Sequence, residues 1–470
     1  MHLYKLYKVI RSNHLILVIF GLLVGILAAY SSIGFHELIS SVQFLTIGTS
    51  SGRITETLEA LPIWQVLLVP AAGGLVVGLL TRYFMSTQRL HGIPEVIETA
   101  ALKSKGIKLS DGVTAAGAAV ISLGTGGSVG REGPVVHIGA TIASVISSKL
   151  TLSRSTTLTL LGCGVAAAIA ASFNAPIAGV FFALEVVVGH YALSAFSPVV
   201  IASVAGTIIT RIHNGYFSDF SILSTEVISL TEIPTFLALG LFSAGAAILF
   251  IKLTGIINTL WTYTIIPLWI RPGLAGLALG SIALIMPEVI GVGYETTDLA
   301  LTEMLPLGML IALFFMKIFA SALCLGSGIA GGIFSPSLFI GAMLGGAFGI
   351  IVSNIFPDLT SSQSAYAIAG MGAVAGAVLG APISTILMVF ELTDSYEMTI
   401  LVMVSTTVSA VIMRQLNAKS YFHTILERRG IVIDKERQFA ALKRLHAKDL
   451  VRFDTPKLFM DSSILEIKDL

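Results

Sequence analysis

The sequence predicts an all-α polytopic membrane protein made of two inverted-topology repeats with interrupted and half-spanning helices. Three observations predict it: scarce charge, apolar runs too short and Gly-rich for simple spans, and a motif that occurs twice. Of 470 residues, 55% are hydrophobic and 12% are Asp, Glu, Lys or Arg, and mean hydropathy is +0.90. Soluble domains carry about 25% charged residues because a globule needs a hydrated shell. Disorder, a coiled coil and a nucleic-acid-binding domain are excluded.

Net charge is +1, from 28 Lys+Arg and 27 Asp+Glu. Residues Asn417–Leu470 hold 11 of those cations and 8 of those acids, and Lys5, Lys8 and Arg11 precede the first apolar run, Ile16–Tyr30. The positive-inside bias places both ends in the cytoplasm, which requires an even number of spans. A cleaved signal peptide is the alternative for that first run, but it is long for an h-region and lacks a clean cleavage pattern. Cys163 and Cys324 are isolated in apolar stretches and read as small buried hydrophobes, neither a disulfide framework nor a metal site.

Further apolar runs follow at Val66–Leu80, Leu158–Ala171, Ala195–Ile209, Phe236–Ile251, Leu307–Leu325, Leu338–Ile351 and Met398–Met413. Several fall short of the ~20 residues a spanning helix needs. Helices that end inside a bilayer leave backbone N–H groups no lipid can satisfy, so such ends line a protein cavity or meet a ligand. The expected organisation is a cytoplasmic segment 1–14, a first membrane repeat 15–215, a connection 216–229, a second repeat 230–425 and a cytoplasmic tail 426–470.

The repeat is explicit. Gly124–Ala140 reads GTGGSVGREGPVVHIGA and Gly326–Ala342 reads GSGIAGGIFSPSLFIGA, with seven of 17 positions identical at an offset of 202. At offset 206, Ala175-Pro176 and Glu185 match Ala381-Pro382 and Glu391. In both motif copies Gly precedes a Pro suited to the first turn of a helix. A helix N-terminus presents free N–H groups and about half a positive charge, worth ~0.3–2 kcal/mol to an anion. One such terminus is weak against the several kcal/mol of desolvation a buried ion costs. Two facing each other, as paired interrupted helices do in inverted-repeat carriers, form a credible anion site.

HGIPEV at 91–96, GREGP at 130–134, GVGY at 291–294 and GGIFSP at 331–336 resemble, in that order, the signature segments of the CLC family of chloride channels and proton/chloride antiporters. The resemblance runs from about residue 15 to 430. It implies a homodimer in a lipid bilayer, voltage-gated in some members, each subunit moving chloride and similar small anions without a cofactor. It makes Glu132 the gate, its carboxylate competing with chloride for an amide-lined site and taking a proton. The alternative reading of Glu132 is a capping acid with no part in transport. Backbone amides around Arg131, Glu132 and Gly133, and around Ile333, Phe334 and Ser335, are implied to face the anion. Arg131 reads as a source of field rather than a ligand, and Phe334 either lines the pore or packs in the core.

Three departures mark this chain. His91 stands where the family commonly has Ser; it either donates a ring N–H to chloride, with pH dependence near neutrality, or is a solvated loop residue. Phe422 aligns with the family's pore tyrosine, and a one-residue slip would put Tyr421 there. Val186 occupies the inner proton-glutamate position of many antiporters and cannot titrate. Neighbouring Glu185 lies about 100° around the helix, and its repeat mate Glu391 suggests a shared capping job. Passive conduction is therefore the expected mode, with antiport the rival and an inverted-repeat carrier of another solute a third reading. His36-Glu37 lacks a second metal-ligating His, since residue 40 is Ser40, and no P-loop or Ser/His/Asp set occurs, so an enzyme is not expected. The stretch Asp454–Leu470 reads either as the opening of a truncated CBS module or as a plain amphipathic tail.

Overall fold

A computed structural model describes residues 14–49, 54–87, 89–102, 106–189, 193–215, 220, 232–357 and 361–431. The chain divides into units Met1–Ile425 and Leu426–Leu470, the second almost wholly beyond the described residues, as is the CBS-like stretch. Among the described residues are eighteen α-helices and no strand. Nine lie in the first half: α1 His14–Ile47, α2 Ile54–Ala60, α3 Ile63–Phe84, α4 Ile93–Ala101, α5 Leu109–Gly124, α6 Glu132–Lys149, α7 Arg154–Phe173, α8 Pro176–Phe182 and α9 Leu193–Asn214. Nine lie in the second: α10 Ile233–Thr262, α11 Arg271–Ala283, α12 Tyr294–Leu301, α13 Leu307–Ser327, α14 Phe334–Ile355, α15 Gln363–Leu379, α16 Pro382–Thr393, α17 Tyr396–Gln415 and α18 Tyr421–Arg428. Eight of the described helices are long and apolar enough to cross a membrane, and others are half-length.

The repeat predicted from the motif is visible in where helices begin. The helices α6 and α14 start at Glu132 and Phe334, 202 residues apart, and α8 and α16 start at Pro176 and Pro382, 206 apart. Pro134 and Pro336 fall in the first turns of α6 and α14, where a missing N–H costs nothing. Gly130 and Gly332 each donate a backbone hydrogen bond of 2.7 Å to the other's carbonyl, in antiparallel sense. The chain therefore runs in opposite directions through the two crossings, about a local two-fold axis. Inverted topology is built at that pair.

Glycine lets the layers close where bulk would part them. A Cβ on Gly139 of α6 would lie 2.3 Å from the Gly164 carbonyl oxygen of α7. At the repeat-related position, a Cβ on Gly341 of α14 would lie 2.4 Å from the Gly370 oxygen of α15. Without a hydrophobic drive between helices in lipid, such backbone contact supplies the packing.

One helix departs from the sequence reading. The first apolar run ends at Tyr30, yet α1 continues to Ile47. Its second half carries more polar residues, whose hydroxyls are satisfied within the helix: Ser41 Oγ donates to the Glu37 carbonyl and Thr46 Oγ1 to the Val42 carbonyl, each at 2.8 Å. Cys163 and Cys324 are buried and unbridged.

Candidate functional site

Two turns bring the repeats' helix starts together. Gly126 and Gly328, repeat mates at the ends of α5 and α13, both have φ near +88°, a conformation that glycine adopts without a Cβ penalty. Each turn redirects the chain into its crossing segment, after which α6 or α14 begins. In both first turns the leading amides have no intrahelical acceptor. Gly130 is wedged between them: a Cβ there would lie 2.9 Å from Glu132 Oε2 and 3.1 Å from the Ser335 nitrogen.

Glu132 opens α6, and its side chain is fully buried. Ser335 Oγ, on the first turn of α14, donates to Oε2 at 2.5 Å, and the Tyr294 hydroxyl donates to Oε1 at 2.5 Å. The acid of one repeat thus sits at the helix start of the other. Arg131 Nε lies 3.7 Å from Oε1, and the guanidinium stands 4.8 Å over the Tyr294 ring. Two O–H donors and a guanidinium edge thus converge on the buried carboxylate, and both of its oxygens have a hydrogen-bond partner. It also occupies the place where the amides would otherwise meet an anion.

Two residues that shape this site lie outside the set predicted from sequence. Tyr294 ends the GVGY segment, which carried a resemblance but no assigned role; it heads α12 and reaches Glu132 across 162 residues of chain. Lys317 of α13 gives no sequence signal beyond being a lone cation in an apolar helix. Its Nζ is fully buried and donates to the Val289 and Gly291 carbonyls at 2.9 Å each, with the Phe339 ring 4.9 Å away. Gly291 N–H in turn donates to the Gly126 carbonyl at 3.0 Å. Lys317 therefore holds the loop that delivers Tyr294. Lys317→Met leaves two buried carbonyls unpaired at ~1–3 kcal/mol each. Thermal unfolding in detergent is expected at a clearly lower temperature for Lys317→Met than for Lys317→Arg, and equal midpoints would contradict this.

The other predicted residues are placed as follows. Gly133 packs against Gly332, where an added Cβ would be 2.9 Å from Cα. Ile333 is the residue before α14. Phe334 is fully buried, its ring 5.1 Å from Phe173 and 6.0 Å from Phe182, so its ring packs in the core while its amide stays at the helix start. His91 and Phe422 make their contacts away from Glu132. His91 precedes Gly92, which caps α4, and meets Thr87 and His137; Phe422 is buried in the first turn of α18 against Tyr421.

Val186 lies in a π-helical turn, Ala183–Val188, that continues α8. Its neighbour Glu185 accepts from the Ile383 and Ser384 amides of α16 at 3.2 and 2.9 Å. Glu391 of α16 accepts from the Ile177 and Ala178 amides of α8 at 2.8 and 2.7 Å. Each acid caps the helix start of the other repeat, the shared job that its repeat mate suggested.

Fold and site together define an integral membrane protein of the inverted-repeat kind, with opposed helix starts suited to an anion and a carboxylate lodged between them. A family model described as voltage gated chloride channel matches residues 73–414, and the chain belongs to that family, the CLC channels and transporters. It is 31% identical over 410 residues to a putative chloride channel protein, ClcB-like, of Ralstonia nicotianae, covering 86% of this chain and 95% of that one. It is 30% identical over 407 residues to the voltage-gated ClC-type chloride channel ClcB of Escherichia coli, covering 85% and 96%. Among solved structures, a slow cyanobacterial Cl−/H+ antiporter superposes with a TM-score of 0.80 at 22% identity, covering 88% of this chain and 97% of that one. A CLC-type fluoride/proton antiporter superposes at 0.72 and 21% identity, covering 85% and 95%. At these identities the structural likeness speaks for the fold.

Proposed function

We propose that this chain moves chloride and similar small anions across a membrane by passive, channel-like conduction gated by Glu132. The observation that carries the reading is the Glu132 carboxylate, held at the start of α14 by Ser335 and Tyr294. In the open state the carboxylate leaves, and amides around Arg131, Glu132, Gly133, Ile333, Phe334 and Ser335 take the anion. His91 beside the start of α4 and Phe422 at the start of α18 line the inner stretch. Amide readout selects anions over cations without a fixed charge that would trap the ion. Val186 favours conduction over exchange, because no carboxylate stands there to pass protons inward.

Proton-coupled antiport is the second reading, favoured by Glu132 itself: a buried carboxylate that must leave its site to admit an anion takes a proton when it does. The chain works as a homodimer, each copy with its own pathway, in a bacterial inner membrane with both termini cytoplasmic. Neither a cofactor, catalysis nor nucleic acid enters. Simultaneous chloride and proton flux from liposomes tests the mode. Chloride movement with no uphill proton movement is the expected result; a chloride gradient that drives sustained uphill proton transport establishes antiport instead. No chloride flux at all would point to an inverted-repeat carrier of another solute.

A further inference from the structure

One end of the α3–α11 pair gathers cations and aromatic rings where no acid answers them. Arg82, in the last turn of α3, stands 5.7 Å over the Trp269 ring and 5.5 Å over the Tyr83 ring. Arg271, the first residue of α11, stands 6.0 Å over the ring of Trp261 in the last turn of α10. Glycines bring the two arginines to one place. A Cβ on Gly78 of α3 would collide with the Trp269 carbonyl oxygen, and one on Gly74 with that of Pro272. From Ile63 to Pro94 and from Ile233 to Pro287 the sequence has no Asp or Glu, but it has Arg82, Arg89, Lys252 and Arg271. Among the described residues no carboxylate pairs with Arg82 or Arg271.

We propose that this patch binds the phosphate headgroup of an anionic phospholipid, a ligand separate from the transported anion. Charge complementarity carries the argument. A helix start bears partial positive charge and favours an acid beside it. Yet α11 opens on Arg271, with no acid in its first turn and no side-chain cap. Two guanidiniums and a helix start therefore add up with nothing in the chain to balance them, and the balancing charge comes from outside. A guanidinium fork matches two phosphate oxygens at once. Arg271 Nε donates to the Ile266 carbonyl at 3.0 Å, which leaves the terminal nitrogens of that fork to the ligand.

Exposed apolar side chains around the cations make the phosphate that of a lipid rather than a free ion. Tyr263, Ile265 and Leu268, on the connection between α10 and α11, are exposed, and so are Tyr83 and Phe84 at the end of α3. Trp and Tyr concentrate where acyl chains meet headgroups, beside cations that reach the headgroup level. A free phosphate would leave that apolar surface in water. Trp261 is fixed in place, its Nε1 donating to Ser327 Oγ at 2.7 Å. The Trp269 indole N–H makes no hydrogen bond among the described residues and is free for a lipid oxygen. A zwitterionic lipid brings its own cation against two arginines and is disfavoured. Both α1 and α3 are long and apolar enough to cross a membrane. With the N-terminus in the cytoplasm, α1 leads out and α3 returns, so the patch meets the cytoplasmic leaflet, where basic residues beside a span attract anionic headgroups.

The test uses the full chain in detergent micelles, with indole fluorescence as the probe. Of the three tryptophans, Trp64 lies at the opposite end of α3, and Trp64→Phe leaves only the two of the patch. Phosphatidylglycerol or phosphatidylcholine, brominated near the carbonyl end of the acyl chains, is titrated in, because bromine quenches an indole it touches. Quenching by phosphatidylglycerol is expected to have an apparent affinity at least about tenfold tighter than by phosphatidylcholine, the scale two arginines supply at an anionic headgroup. Arg82→Gln is expected to lower that preference at least about threefold, and adding Arg271→Gln brings it to about one. The Arg82 side chain is exposed, so the single variant decides if the double one does not fold. Excess inorganic phosphate at matched ionic strength is expected to leave the quenching in place. Equal quenching by the two lipids, a preference unmoved by Arg82→Gln, or displacement of the lipid by inorganic phosphate overturns the proposal. A micelle has no sides and no ion crosses it, so the result is independent of the chain's orientation and of the pathway through Glu132.

Discussion

Glu132→Gln raises chloride flux from proteoliposomes at pH 7.5 by roughly tenfold, about 1.4 kcal/mol in the free energy of the blocked state. The reasoning starts from the two 2.5 Å hydrogen bonds that hold the carboxylate, from Tyr294 and Ser335. Hydrogen bonds to a charged acceptor are worth ~1.5–3 kcal/mol each, net of solvation. Glutamine keeps the shape but has one acceptor oxygen and turns an NH2 group towards a donor. It also loses the attraction of Arg131, whose Nε is 3.7 Å away, and of the α14 start. The blocked arrangement is weakened, and the amides are left to the anion. Tyr294→Phe and Ser335→Ala each remove one donor and shift flux in the same direction by less. Unchanged flux in Glu132→Gln would take the residue out of the pathway.

Gly341→Ala prevents the protein from reaching a folded, monodisperse state in detergent, and Gly139→Ala does the same. In each case the new methyl meets backbone. For Gly341 the neighbours are the Gly370 oxygen at 2.4 Å, the Gly370 carbonyl carbon at 2.7 Å and Met371 Cα at 2.7 Å. No rotamer relieves such contacts, so α14 and α15 must part along their length. Overpacking a core by a methyl against movable side chains costs ~1–3 kcal/mol, and rigid backbone makes the cost higher. Total stabilities are only ~5–15 kcal/mol. Gly245→Ala in α10 is the control, since nothing lies within 4 Å of its added methyl and Ala favours a helix over Gly by about 1 kcal/mol. Size-exclusion profiles that do not distinguish Gly341→Ala from Gly245→Ala would refute the close-contact argument.

Much of the fold was legible because its signals are local. A Pro in the first turn, a Gly before it and an apolar run behind it set the starts of α6 and α14 within a few residues of chain. The 17-residue repeat carried the pairing, and the antiparallel bond between Gly130 and Gly332 is where it becomes three-dimensional. The full length of α1 was not legible, because a drop in hydropathy after Tyr30 does not by itself end a helix whose polar side chains are satisfied. For the candidate site, Glu132 and Ser335 stood in the motif, but the side-chain contact between them did not. Tyr294 and Lys317 each carry a role that depends on what faces them, and a lone lysine in the apolar α13 has no pattern to announce it.

The sequence by itself determined the membrane class, the two-fold plan and which helix starts matter, since length, hydropathy and turn chemistry act between near neighbours. Only the tertiary structure decided the partners: Ser335 reaches Glu132 across 203 residues, Tyr294 across 162, and the Glu185 and Glu391 caps across 198 to 214. Hydrogen bonds select by distances of tenths of an ångström. Those distances exist only once glycine-to-glycine packing has drawn the two halves together.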